Sequence, residues 1–84
     1  MDHHVDIQKC LVAFARILEK GERLEDSYLL DGITARSMDD GYTVTLSNRD
    51  CLLTIYFHNK FGLESTSQTT MDTFIKHLYQ IAEQ

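Results

Sequence analysis

The chain of 84 residues contains no proline and no tryptophan, only four glycines and two cysteines. It has no internal repeat, no low-complexity stretch and no linker, so one domain with one core is expected over residues 1–84, with 1–5 fraying. A domain of this size buries roughly 60–65% of its unfolded surface, which makes its stability modest and dimerisation a common remedy. No apolar run is long enough to cross a membrane, and Met1-Asp2-His3-His4 lacks the start of a secretory leader. A cytoplasmic setting is therefore expected.

Positive charge is also scarce. The net charge is −5, and the acidic excess is spread along the chain. No segment concentrates lysine or arginine, which argues against a phosphate-backbone binder. The acidity is too diffuse for a mimic of DNA, and solubility is its simplest role.

The two cysteines, Cys10 and Cys51, have no metal-binding spacing, and both fall on predicted core faces. Buried, reduced thiols are expected. His3, His4, His58 and His77 do not share an element or a recognised ligand step, so no metal site is expected. A G-x-S-x-G elbow and a phosphate-binding G-x-x-x-x-G-K-S/T loop are both missing. Asp39 and Asp40 are adjacent carboxylates, but they occupy a turn where aspartate is favoured conformationally. No catalytic residue and no cofactor is assigned.

What is present is a pattern of elements. Ile7, Cys10, Leu11, Phe14, Ile17 and Leu18 recur at three- and four-residue steps and predict a helix from about Asp6 to Lys20. Lys20-Gly21 is its stop signal, with glycine able to take the left-handed conformation. Glu19 and Arg23 are placed to pair at its end. Residues Glu22–Ser27 form a charged connector. From Gly32 to Phe61 apolar and polar residues alternate, predicting three antiparallel strands. Leu30 and Ile33 are oddly spaced for a single strand, so a bulge at Asp31-Gly32 is expected.

Turn parity sets the pairing. A two-residue turn at Asn48-Arg49 pairs Leu46 with Cys51, Val44 with Leu53 and Tyr42 with Ile55. A four-residue loop at Met38–Gly41, with Gly41 left-handed, pairs Ala35 with Val44 and Ile33 with Leu46. One face then carries Ile33, Ala35, Tyr42, Val44, Leu46, Cys51, Leu53, Ile55 and Phe57. Leu63–Ser67 is a candidate fourth strand. A second helix is expected from about Thr70 to Glu83, opened by a Thr69–Asp72 capping box and buried through Met71, Phe74, Ile75, Leu78 and Ile81. The fold class is α+β: helix, three- to four-stranded antiparallel meander, helix, with both helices on one face of the sheet.

The opposite face should display Thr34, Arg36, Thr43, Thr45, Leu52, Thr54, Tyr56 and His58. A solvated face is the plain reading, since threonine suits exposed strands. A contact face seeded by Leu52 and Tyr56 is the sharper one. The candidate interaction face is Arg36, Thr43, Leu52, Thr54, Tyr56 and His58. Helix–meander–helix is also the element order of a double-stranded-RNA-binding domain. Such a domain has lysines at the start of its last helix, where this chain reads Thr69-Thr70-Met71-Asp72-Thr73. A third reading places His58 and Tyr56 at a small-molecule pocket or an enzyme site.

Leu30-Asp31-Gly32, Asp40-Gly41-Tyr42-Thr43-Val44 and Phe57-His58-Asn59-Lys60-Phe61 resemble a family of small uncharacterised gammaproteobacterial proteins, a domain of unknown function. The resemblance implies a bacterial cytosolic protein and carries no functional residue. The leading expectation is a non-enzymatic protein-interaction or regulatory module whose partner is another protein or a second copy of itself, without nucleic acid or membrane.

Overall fold

The computed structural model describes residues 5–56 and 60–84. Helix α1 (Ile7–Lys20) starts where Asp6 acts as N-cap: its carboxylate accepts the Lys9 amide at 3.1 Å. Val5, placed by the sequence in the fraying terminus, is buried against the core. The helix ends at Gly21, but not through a left-handed glycine. Gly21 has φ −80° and ψ 170°, an extended conformation open to any residue. Its requirement is space, because the backbone of the sheet passes directly beside it. The ion pair on this helix joins Arg16 to Glu19 at 3.8 Å.

Six strands follow: β1 (Glu22–Arg23), β2 (Tyr28–Leu30), β3 (Ile33–Ser37), β4 (Val44–Ser47), β5 (Cys51–Ile55) and β6 (Phe61–Ser65). They form one antiparallel meander in chain order. The sheet is therefore six-stranded, where three or four strands were expected. The supposed bulge at Asp31-Gly32 is a two-residue hairpin turn. Asp31 (φ 52°) and Gly32 (φ 82°) are both left-handed, and Leu30 pairs with Ile33. An Asp-Gly pair is favoured in that turn because both central residues need positive φ. Residues facing each other across such a turn share a sheet face, which resolves the odd spacing. The connector also contributes, with Glu22 opposite Leu29 and Arg23 opposite Tyr28.

Both central registers differ from expectation by two residues. Ala35 pairs with Leu46 and Ser37 with Val44. The cause is Asp40, whose carboxylate accepts the Tyr42 amide at 2.8 Å, the Thr43 amide at 2.9 Å and the Thr43 hydroxyl at 2.7 Å. These bonds hold residues 42 and 43 in the loop and release Tyr42 from the core; it is 66% exposed. They also keep the Asp40 carboxyl below the usual carboxylate range, the Thr43 hydroxyl contributing most. The glycine at 41 is left-handed as expected, with φ 78°.

At the next turn Asn48 is responsible. Its side-chain oxygen accepts the amides of Asp50 (2.9 Å) and Cys51 (2.8 Å), while its own amide donates to the Cys51 carbonyl at 3.0 Å. The tip moves to Arg49-Asp50, so Leu46 pairs with Leu53 and Val44 with Ile55. Because each register moves by two, every strand residue keeps its face. Ile33, Ala35, Leu46, Cys51, Leu53 and Ile55 are buried as expected, and Val44 is half-buried. Phe57 lies outside the described residues.

The fourth predicted strand begins two residues early, as β6, with Leu63 opposite Leu53. Helix α2 (Gln68–Ala82) also begins early. Its N-cap is Ser67, whose hydroxyl accepts the Thr70 amide at 3.1 Å, rather than a Thr69–Asp72 box. Helix α1 packs on β2 and β3, and α2 on β5 and β6, both on the same side of the sheet. The helices are tied to each other where the Asp6 amide donates to the Tyr79 hydroxyl at 2.8 Å.

Cys10 and Cys51 are both buried and reduced. Burial pushes the Cys10 thiol up from 9.0 to about 11, and the Asp6 carboxylate pushes it the same way. The unfolded chain ionises this thiol near 9, whereas the folded chain keeps its proton. Stability is therefore fully present below pH 9 and is lost as pH rises towards 11, by about 2–3 kcal/mol in all. Urea titrations across that range should show the slope in the wild type and a flatter one in Cys10→Ala. Equal slopes would remove Cys10 as the cause.

Candidate functional site: the uncovered face of the sheet

Strand alternation assigns the face away from the helices. The pairings lay two rows across it. The first runs Glu22, Leu29, Thr34, Ser47, Leu52, Glu64, and the second Arg36, Thr45, Thr54, Gly62. Tyr56 follows β5 and closes the surface. A Cβ added at Gly62 would lie 3.8 Å from Tyr56 Cε2 and 3.9 Å from its hydroxyl, so the ring reaches over the glycine. The aromatic ring thus shields the backbone that glycine leaves bare.

Of the six residues predicted for an interaction face, four come together here. Leu52 and Thr54 are half-buried on the sheet surface, Tyr56 is 48% exposed, and Arg36 reaches Asp26 at 3.4 Å. Thr43 does not join them as a free side chain, since its hydroxyl is committed to Asp40. His58 lies outside the described residues. Leu29 and Glu64 were missed. Leu29 became visible only once Asp31-Gly32 was recognised as a hairpin turn. Glu64 needed the register of β6.

The chemistry on this face is that of contact. Leu29, Leu52 and Tyr56 supply apolar area between hydroxyls, with Arg36 and two carboxylates at the margins. Among the described residues of the face Arg36 is the one cation, and Asp26 offsets it. That charge gives a nucleic-acid reading no support. Two shallow grooves occur among the described residues. One, of about 460 Å³, lies at the end of the sheet, lined by Ser47, Leu52 and Glu64 of this face together with Asn48, Arg49 and Asp50. The other, of about 410 Å³, runs along α2 beside Thr73, Lys76, His77 and Gln80. Tyr56 lines neither of them. Among the described residues no three His, Cys, Asp or Glu side chains converge as metal ligands, and no helix is long and apolar enough to cross a membrane.

The architecture defines a two-layer α+β protein, a six-stranded meander with both helices on one side. Within that class, residues 5–84 match the model of a family of proteins of unknown function, DUF3081, and the chain belongs to that family. No curated protein and no solved structure matches the chain.

Proposed function

We propose that this chain is a non-enzymatic, cytosolic bacterial module that binds another protein through the uncovered face of its sheet. One observation carries the reading. Six strands present a continuous face that no helix covers among the described residues, and Leu29, Leu52 and Tyr56 are set among hydroxyl side chains there. Interfaces have this composition, with aromatic and aliphatic anchors at the centre and polar groups around them. A sheet face that only met water would be well served by threonine and charge alone.

The test begins with a partner captured by the wild-type protein and purified. Leu52→Lys and Tyr56→Glu are the variants. Lysine is preferred at 52 because Glu64 stands directly across the ladder, and a second carboxylate there would disturb the sheet itself. Each variant should keep the wild-type circular dichroism and weaken binding by about 30-fold or more, the effect of losing an anchor worth ~2 kcal/mol. Unchanged affinity in both would sink the proposal.

A further inference from the structure

The two edges of the sheet are built differently. The β1 edge is two residues long, and both, Glu22 and Arg23, are charged and exposed. Short, charged edges resist pairing. The β6 edge has five residues, Phe61–Ser65, with one charge and no proline. Its backbone polarity is fixed by its neighbours. Tyr56 donates to the Lys60 carbonyl at 2.7 Å and Thr66 donates to the Asp50 carbonyl at 3.3 Å. Even-numbered residues of this segment therefore turn their backbone groups towards β5. Antiparallel alternation turns those of Phe61, Leu63 and Ser65 outward. Among the described residues none of these three has a backbone hydrogen-bond partner beyond the sheet.

We infer that β6 pairs antiparallel with β6 of a second copy of this chain, about a two-fold axis through Leu63, to form one sheet across both subunits. The strand is complementary to itself in that register. Leu63 meets Leu63, and Phe61 meets Ser65 in both directions, so each outward-facing residue exchanges two hydrogen bonds. On the uncovered face Gly62 stands opposite Glu64, beside the Tyr56 ring that reaches over the glycine. A register two residues further along would set Glu64 against Glu64, and like charges directly opposite are unfavourable. A register two residues the other way leaves Ser65 without a partner in the strand. Leu63, half-buried, and Phe61, 38% exposed, lie at the boundary that the second subunit would cover. An isologous contact of this kind closes on itself and yields a dimer rather than a filament. The inference does not depend on the binding role of the sheet face, which is a separate surface.

Light scattering over a range of concentrations should show the mass rising to twice 9.7 kDa. Amide exchange read by NMR on the wild type should show Phe61, Leu63 and Ser65 slowed in the dimer relative to dilute protein. Phe61→Pro removes an outward N–H without taking a bond from β5, and should leave a folded monomer. Leu29→Lys, on the uncovered face, far from β6 and opposite Glu22, should still dimerise. A wild type that stays monomeric at every concentration overturns the inference. So does a dimer in which those three amides exchange as fast as in the monomer, or one that Leu29→Lys disrupts and Phe61→Pro does not. In each of those cases partner binding lost in Tyr56→Glu would leave the face reading intact, so the two failures are distinguishable.

Discussion

Phe74→Ala is expected to destabilise the protein by about 3–5 kcal/mol, the usual cost of deleting a buried aromatic ring. Phe74 is the largest fully buried side chain described, and it sits on α2 above the β5–β6 half of the sheet. Its surroundings cannot collapse into the space. In the core cluster to which Phe74 belongs, Leu46 and Leu53 are held by the ladder, and Leu78 and Ile81 by their own helix. A domain this small has a total stability of roughly 4–13 kcal/mol, so the loss is a large share of it. Urea titration monitored by circular dichroism is the check. The variant should have a much lower midpoint at a similar slope, and a low starting signal would mean that it is already unfolded. Phe74→Leu, which keeps most of the volume, should cost far less. A cost below 1 kcal/mol for alanine would mean that the ring is not packed as described.

Most of the layer arrangement was legible in the sequence because it depends on periodicity alone. The α1 and α2 stripes, the alternation in β3 to β5 and the placement of both helices on one face all follow from which residues are apolar. The two register errors have a common physical origin. Asp40 and Asn48 use their side chains in place of backbone partners and so lengthen or shift a turn. Such bonds compete with the ladder and leave no mark on hydrophobic spacing. They moved two registers, but by an even number, so among the described strand-face residues only Tyr42 lost its predicted place in the core.

The Asp31-Gly32 turn shows the opposite failure. The signal was present in the sequence as one of the strongest hairpin dipeptides, yet the three-residue strand before it is too short to show alternation. With β2 hidden, β1 was hidden as well, and so was Leu29 on the uncovered face. The candidate site was therefore half legible. Arg36, Leu52, Thr54 and Tyr56 follow from strand parity, whereas Leu29 and Glu64 depend on pairings that only the assembled sheet defines.

Gly21→Ala is expected to cost about 3 kcal/mol, although the backbone angles at Gly21 suit alanine well. A Cβ there would lie 2.5 Å from the Ile17 carbonyl oxygen and 2.7 Å from the Leu29 carbonyl oxygen. Both obstacles are backbone atoms. Ile17 O already accepts the Gly21 amide at 2.8 Å, which ends α1, and Leu29 is paired on both sides within the sheet. Neither can move without breaking the bonds that place α1 against β2. Gly32→Ala is the informative comparison. Gly32 has φ +82° but open space around it, so alanine there meets only backbone strain of roughly 1–2 kcal/mol. Thermal or urea unfolding of both variants should rank Gly21→Ala as the more damaging. The reverse order would mean that the helix–sheet junction can open by several tenths of an ångström to admit a Cβ at Gly21.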